Sequence, residues 1–178
     1  MAVLVEATSV IIRVQAIHDR YPGGWQAFVQ EMPNQTFCSD NEIARIGFMT
    51  PDDCKTTVDG LERHGIIFLK DRKGQDVVVA DQLHGFTVAC DWADFGRVEI
   101  APGQTVSAAQ LRGTKNRQVF CPDNWKYEGS LSQQFGFVPT GSEHKSLRFL
   151  RHERGLDVYL NLVTGKEVYI GRTGVLSS

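Results

Sequence analysis

No stretch of the 178-residue chain approaches the roughly 20 consecutive apolar residues that a membrane-spanning helix needs. The opening Met1-Ala2-Val3-Leu4-Val5-Glu6 has no basic lead, and Glu6 interrupts its apolar run, so no signal peptide is expected. The four cysteines, Cys38, Cys54, Cys90 and Cys121, form no Cys-x-x-Cys or Cys/His pair of metal-binding spacing. Without a secretory signal, reduced thiols are the expectation. The chain is therefore expected to be soluble, intracellular and cytoplasmic, with no metal and no cofactor.

Other signatures are missing too. Gly23-Gly24 lacks the Gly-Lys-Ser/Thr ending of a phosphate loop and reads as a tight turn before Trp25. There is no helix-turn-helix or zinc-finger spacing and no aromatic RNP motif, and the net charge is −2; both argue against nucleic acid as a partner. No Pro- or Ser-rich linker interrupts the chain, so residues 1–178 read as one α+β domain. If it divides, the boundary falls near 100. Residues 1–100 hold 9 Lys/Arg against 15 Asp/Glu, net −6, and residues 101–178 hold 10 against 6, net +4.

What is present is ordinary globular material, 42% apolar and 22% charged. Ala7 to Val14 carries the first strand signal, centred on Val10-Ile11-Ile12. Two short helical pieces follow, broken by Tyr21-Pro22-Gly23-Gly24-Trp25. In the second, Trp25, Phe28, Val29 and Met32 share one apolar face. After a polar loop at 34–42, Ile43 to Met49 reads as a strand. Thr50-Pro51-Asp52-Asp53 is the clearest helix start, with Cys54, Val58 and Leu61 as the buried stripe and Gly65 as the stop. A hairpin is predicted between Ile66–Lys70 and Asp76–Ala80.

Arg97–Ala101 and Thr105–Leu111 read as strands around Pro102-Gly103, and residues 112–145 as irregular, with a short helix near Ser130 to Phe135. Leu147–Arg151, Leu156–Val163 and Glu167–Gly171 read as a three-stranded antiparallel meander. Val158, Leu160 and Leu162 should share one face of it, opposite Asp157, Tyr159 and Asn161. Matching apolar faces then requires directly opposed residue numbers of even sum, and hence a three-residue turn or a bulge around Gly165. The fold class is α+β: a mixed sheet with two main helical regions first, then a mostly antiparallel β half.

Three functional readings follow. The absent catalytic signature and the charge-split halves point to a non-catalytic protein-binding module of inhibitor, immunity or adaptor type, with another protein as partner. The alternative is a small enzyme with a site between the halves, drawing on Asp81, His84, Cys90, Asp91, Cys121 and Asp123. Histidine titrates near neutrality, and a thiol needs such a neighbour to become a nucleophile. The third is an RNA or phosphate binder on the basic run that contains Lys145, Arg148 and Arg151, with Tyr159 and Tyr169 projecting from the same sheet. The plainer reading of that run is a solvated strand face whose arginines pair with acids from the first half.

Overall fold

The computed structural model describes residues 1–116, 118–134, 147–153, 156–161, 165 and 167–171. In chain order the elements are β1 (Ala2–Val5), β2 (Thr8–Arg13), α1 (Val14–Arg20), α2 (Gly24–Gln30), β3 (Cys38–Ser39), β4 (Ile43–Phe48), α3 (Pro51–Arg63), β5 (Leu69–Lys70), β6 (Lys73–Gly74), β7 (Val77–Asp81), β8 (Gly85–Phe86), β9 (Ala89–Cys90), β10 (Ala93–Ala101), β11 (Gln104–Leu111), β12 (Val119–Phe120), α4 (Leu131–Gln134), β13 (Leu147–Glu153), β14 (Leu156–Asn161) and β15 (Glu167–Gly171). This is an α+β fold of mostly antiparallel sheets; β1–β12 and β6–β9 are parallel pairs.

A five-stranded sheet, β3-β4-β2-β7-β8, forms the middle layer. Val10, Ile12, Val77 and Val79 face the helices, packing with Ile17, Phe28, Cys54, Val58 and Leu61. The alternate residues Ile11, Val78 and Ala80 face a second sheet, β10-β11-β1-β12, and meet Val3, Val5 and Ala109. Both faces are covered, and for that reason Val10-Ile11-Ile12 and Val77-Val78-Val79-Ala80 are unbroken apolar runs and do not alternate. β1, which the sequence reading passed over, is the strand that couples the second sheet to both β11 and β12.

The helix at 51–63 is built as its start signal implies. The Thr50 hydroxyl accepts the Asp53 amide at 3.2 Å, and Cys54, Val58 and Leu61 are buried. Gly65 takes φ 87° and ends it. In α2, Phe28 is buried and Trp25 and Met32 pack against the core, but Val29 turns to solvent at 37% exposure.

The hairpin expected between 66–70 and 76–80 closes differently. Asp71 and Arg72 both take left-handed φ, 51° and 64°, a two-residue turn that pairs Leu69–Lys70 with Lys73–Gly74. Ile67 and Phe68 still accept the amides of Asp76 and Gln75, each at 2.8 Å. The chain then leaves, and β7 pairs with β2 instead. A run apolar on both faces is satisfied only in the middle of the covered sheet.

β13, β14 and β15 pair antiparallel in that order. Their register departs from the expected face matching: Val158 opposes Tyr169, and Tyr159 opposes Val168. In β14 the neighbours Asp157 and Val158, which lie on opposite faces of the strand, are both buried, so at that point the strand is covered on both sides. The turn at 162–166 lies outside the described residues apart from Gly165.

Candidate ligand-binding cavity

β1 and β2 are nearly consecutive but belong to different sheets, so the chain must turn sharply between them. Ala7 does this at φ 49°, held by its amide on Gln82 Oε1 at 2.8 Å and by its carbonyl, which accepts the Gln82 amide at 2.9 Å. The corner leaves Glu6 buried at the junction. Its Oε1 accepts the amide and hydroxyl of Ser132 at 2.9 and 2.6 Å, and its Oε2 accepts Trp125 Nε1 at 3.2 Å. Glu6 thereby ties the segment around α4 to the first strand.

Across from it lies Arg45, 2% exposed, in the middle of β4. In register it stands between Cys38 and Ile11, on the face turned away from the helices. Its Nε donates to Ser9 Oγ at 2.9 Å, Nη1 to the Thr36 carbonyl at 2.9 Å and Nη2 to the Glu6 carbonyl at 3.0 Å. Burial lowers its pKa, against the pull of Cys38 and Glu6, yet a guanidinium remains charged. The guanidinium lies back over Gly47, two residues along the same strand face. A Cβ there would come within 2.3 Å of Nη2 and 2.7 Å of Cζ. Gly47 is thus required by the arginine. Asn34 and Thr36 bind the Gly47 backbone from the other side, at 2.8 Å from Asn34 Nδ2 to the carbonyl and 2.7 Å from the amide to Thr36 Oγ1.

Above Arg45 opens a cavity of about 560 Å³, within the range of ligand sites. Phe48, Met49 and Trp125 supply apolar wall, and Glu6, Asp53 and Asp123 are the acids among its lining residues, with Arg45 the one cation. Met49 is 65% exposed at its edge. A second cavity, of about 430 Å³, shares Asp123 and is lined by Trp25, Phe37, Cys38, Asp40 and Cys121.

The residues singled out in the sequence fall in several places. Asp81 Oδ1 accepts the amides of Leu83 and His84 and meets His84 Nδ1, each at 2.9 Å, which closes a turn; the imidazole is 52% exposed. Cys90 is buried, with its carbonyl accepting Arg112 Nη2 at 3.2 Å, and Asp91 is exposed and paired with Lys73 at 2.8 Å. Neither cavity is lined by any of these four, whereas Cys121 and Asp123 both line the second. Burial pushes the thiols of Cys38 and Cys121 up to about 11 and that of Cys54 to about 12, and raises Cys90 as well. Among the described residues no three His, Cys, Asp or Glu side chains gather as metal ligands.

On the basic sheet, Arg148 is exposed. Arg151 is bound by acids of its own sheet: Glu167 takes Nη1 and Nη2 at 2.9 and 3.0 Å, and Glu153 takes Nε at 3.0 Å. Tyr159 meets Phe149 edge-on at 5.6 Å. Tyr169 is placed by its backbone opposite Val158, and Lys145 lies outside the described residues.

Sequence reasoning missed Glu6, Arg45, Gly47 and Trp125 as a group. The one local signal was an arginine inside the apolar strand Ile43-Ala44-Arg45-Ile46-Gly47-Phe48, followed two residues on by a glycine. No known family model matches the chain, and no curated protein or solved structure is significantly similar to it.

Proposed function

We propose that the protein is a non-catalytic binding module that takes a basic segment of a partner protein into the cavity over Arg45. The observation that carries this reading is the wall of that cavity: three carboxylates beside Trp125, Phe48 and Met49, with one cation already enclosed. Aromatic anchors in a desolvated pocket with complementary charge around them are how protein interfaces concentrate their affinity. The net −6 of residues 1–100 favours the same sign of partner over a wider surface. The four free cysteines suit a reducing compartment, and the cytoplasm is the proposed location.

The enzyme alternative has less support. A nucleophilic cysteine acts as thiolate, and burial holds all four of these as thiols. An RNA or phosphate surface at β13–β15 is weakened by the two glutamates that already occupy Arg151. A second contact surface there is favoured by Phe149, 47% exposed beside Tyr159 and His152.

Zero-length carbodiimide coupling in lysate of the source cells tests the main reading. Asp53 and Asp123 are expected to couple to lysines of one co-purifying protein. Coupling confined to other faces, or a small molecule in the cavity instead of a protein, would contradict it.

A further inference from the structure

Two of the four free thiols share a cavity. Cys38 and Cys121 both line the second one, of about 430 Å³. They arrive from different sheets: Cys38 lies in β3, at the edge of the middle sheet, and Cys121 directly follows β12, at the edge of the second. β1 brings them together. Val3 stands opposite Phe120 in the parallel β1–β12 pair, and one step further along the two chains come Leu4 and Cys121. The Leu4 amide donates to the Cys38 sulfur. Cys38 is therefore bonded to the residue that Cys121 adjoins, and the charge of the Cys121 sulfur acts on the Cys38 thiol.

The surroundings of the two sulfurs differ. Cys121 is half-buried, on the wall of the cavity. Cys38 is 5% exposed, and Arg45, its partner across the β3–β4 pair, donates to its sulfur alongside the Leu4 amide. Such donors stabilise a thiolate as it forms. Burial nevertheless pushes both thiols up to about 11, so the reduced pair has no net thiolate stabilisation to oppose a bond between them. The other two cysteines stand apart: Cys54 packs on the helix side of the middle sheet, and Cys90 lines neither cavity.

We propose that Cys38 and Cys121 are a reversible disulfide site, closed by exchange with a small neutral disulfide that enters the second cavity. Cys121 loses its proton, and its thiolate attacks one sulfur of the reactant R–S–S–R. The reactant's S–S bond breaks, and the first R–S⁻ leaves and takes up that proton. Cys38 then loses its proton and attacks Cys121 Sγ, and the second R–S⁻ departs as a thiol in the same way. Two protein thiols are oxidised to one disulfide, and one small disulfide is reduced to two small thiols. The bond fastens the end of β12 to β3 and tethers segment 122–125, which lines the cavity over Arg45. The site does not depend on what that cavity binds, so either reading can fail without the other.

The test incubates the whole wild-type protein with millimolar bis(2-hydroxyethyl) disulfide at mildly alkaline pH, traps the remaining thiols in acid and maps the cysteines by digestion and mass spectrometry. The same chain is treated in urea for comparison. The folded protein is expected to lose two hydrogens and to yield one linked peptide pair, Cys38 with Cys121, reversed by dithiothreitol. The unfolded chain should scatter its links among all four cysteines. A stable mixed disulfide left on Cys121 would show the second sulfur out of reach and overturn the proposal. So would a native link to Cys54 or Cys90, or no reaction overnight in the fold while the unfolded chain oxidises. No variant is needed, so a folding defect does not confuse the result.

Discussion

Gly47 and Arg45 are one unit at the scale of single residues. A methyl group at position 47 would sit inside the guanidinium, 2.3 Å from Nη2, and that guanidinium cannot retreat without giving up its three hydrogen bonds. Gly47→Ala should lower stability by about 2–4 kcal/mol, the sum of lost charge-assisted bonds and a displaced buried cation. Urea denaturation measures it, and a loss below about 0.5 kcal/mol would mean the arginine has other room. Thr50 gives a calibration elsewhere: Thr50→Ala removes the acceptor for the Asp53 amide and should reduce stability by about 1 kcal/mol in the same experiment.

Among the elements, those specified by neighbours in the chain were the legible ones. α3 could be read because its cap, its proline, its acids and its buried stripe all lie between Thr50 and Leu61. The β10–β11 pair was legible because Pro102-Gly103 sits between two β-branched runs. β1 was not, since Glu6 broke the apolar run and its partners β11 and β12 lie a hundred residues away. The partner of β7 was hidden likewise, because a short hairpin and a central strand compete for the same residues and only the covered sheet decides between them. The cavity was least visible of all. Glu6 meets Trp125 across 119 positions and Ser132 across 126, so no window of sequence contains the site. That attachment makes its own prediction. Glu6→Ala leaves the Ser132 amide and Trp125 Nε1 without their acceptor, and limited proteolysis should then cut within 121–134 much faster than in the native protein. Unchanged protection would show that the segment is held by something other than Glu6.

The whole molecule carries its buried acids-in-waiting as thiols and a phenol. In the unfolded chain cysteines titrate near 9 and tyrosine near 10. In the fold, burial holds Cys38 and Cys121 to about 11, and Cys54 and Tyr21 to about 12. Above pH 9 the unfolded state therefore binds fewer protons than the folded one, and stability falls as pH rises. The urea midpoint should hold from pH 7 to about 8.5 and decline from about 9 towards 12. A midpoint level through that window would contradict the enclosed thiols. The same burial should leave Cys38, Cys54 and Cys90 of the native protein slow to react with iodoacetamide at pH 7 and quick once unfolded.

The central claim is that the carboxylate-rimmed cavity receives a basic protein segment. Native mass spectrometry of the wild-type protein and the Asp123→Lys variant, each isolated from the source cells, tests it most directly, because Asp123 is exposed and its reversal is expected to leave the fold intact. The account predicts one partner protein at fixed stoichiometry on the wild type and its loss from the variant. A partner retained undiminished by Asp123→Lys would place binding elsewhere and contradict the claim.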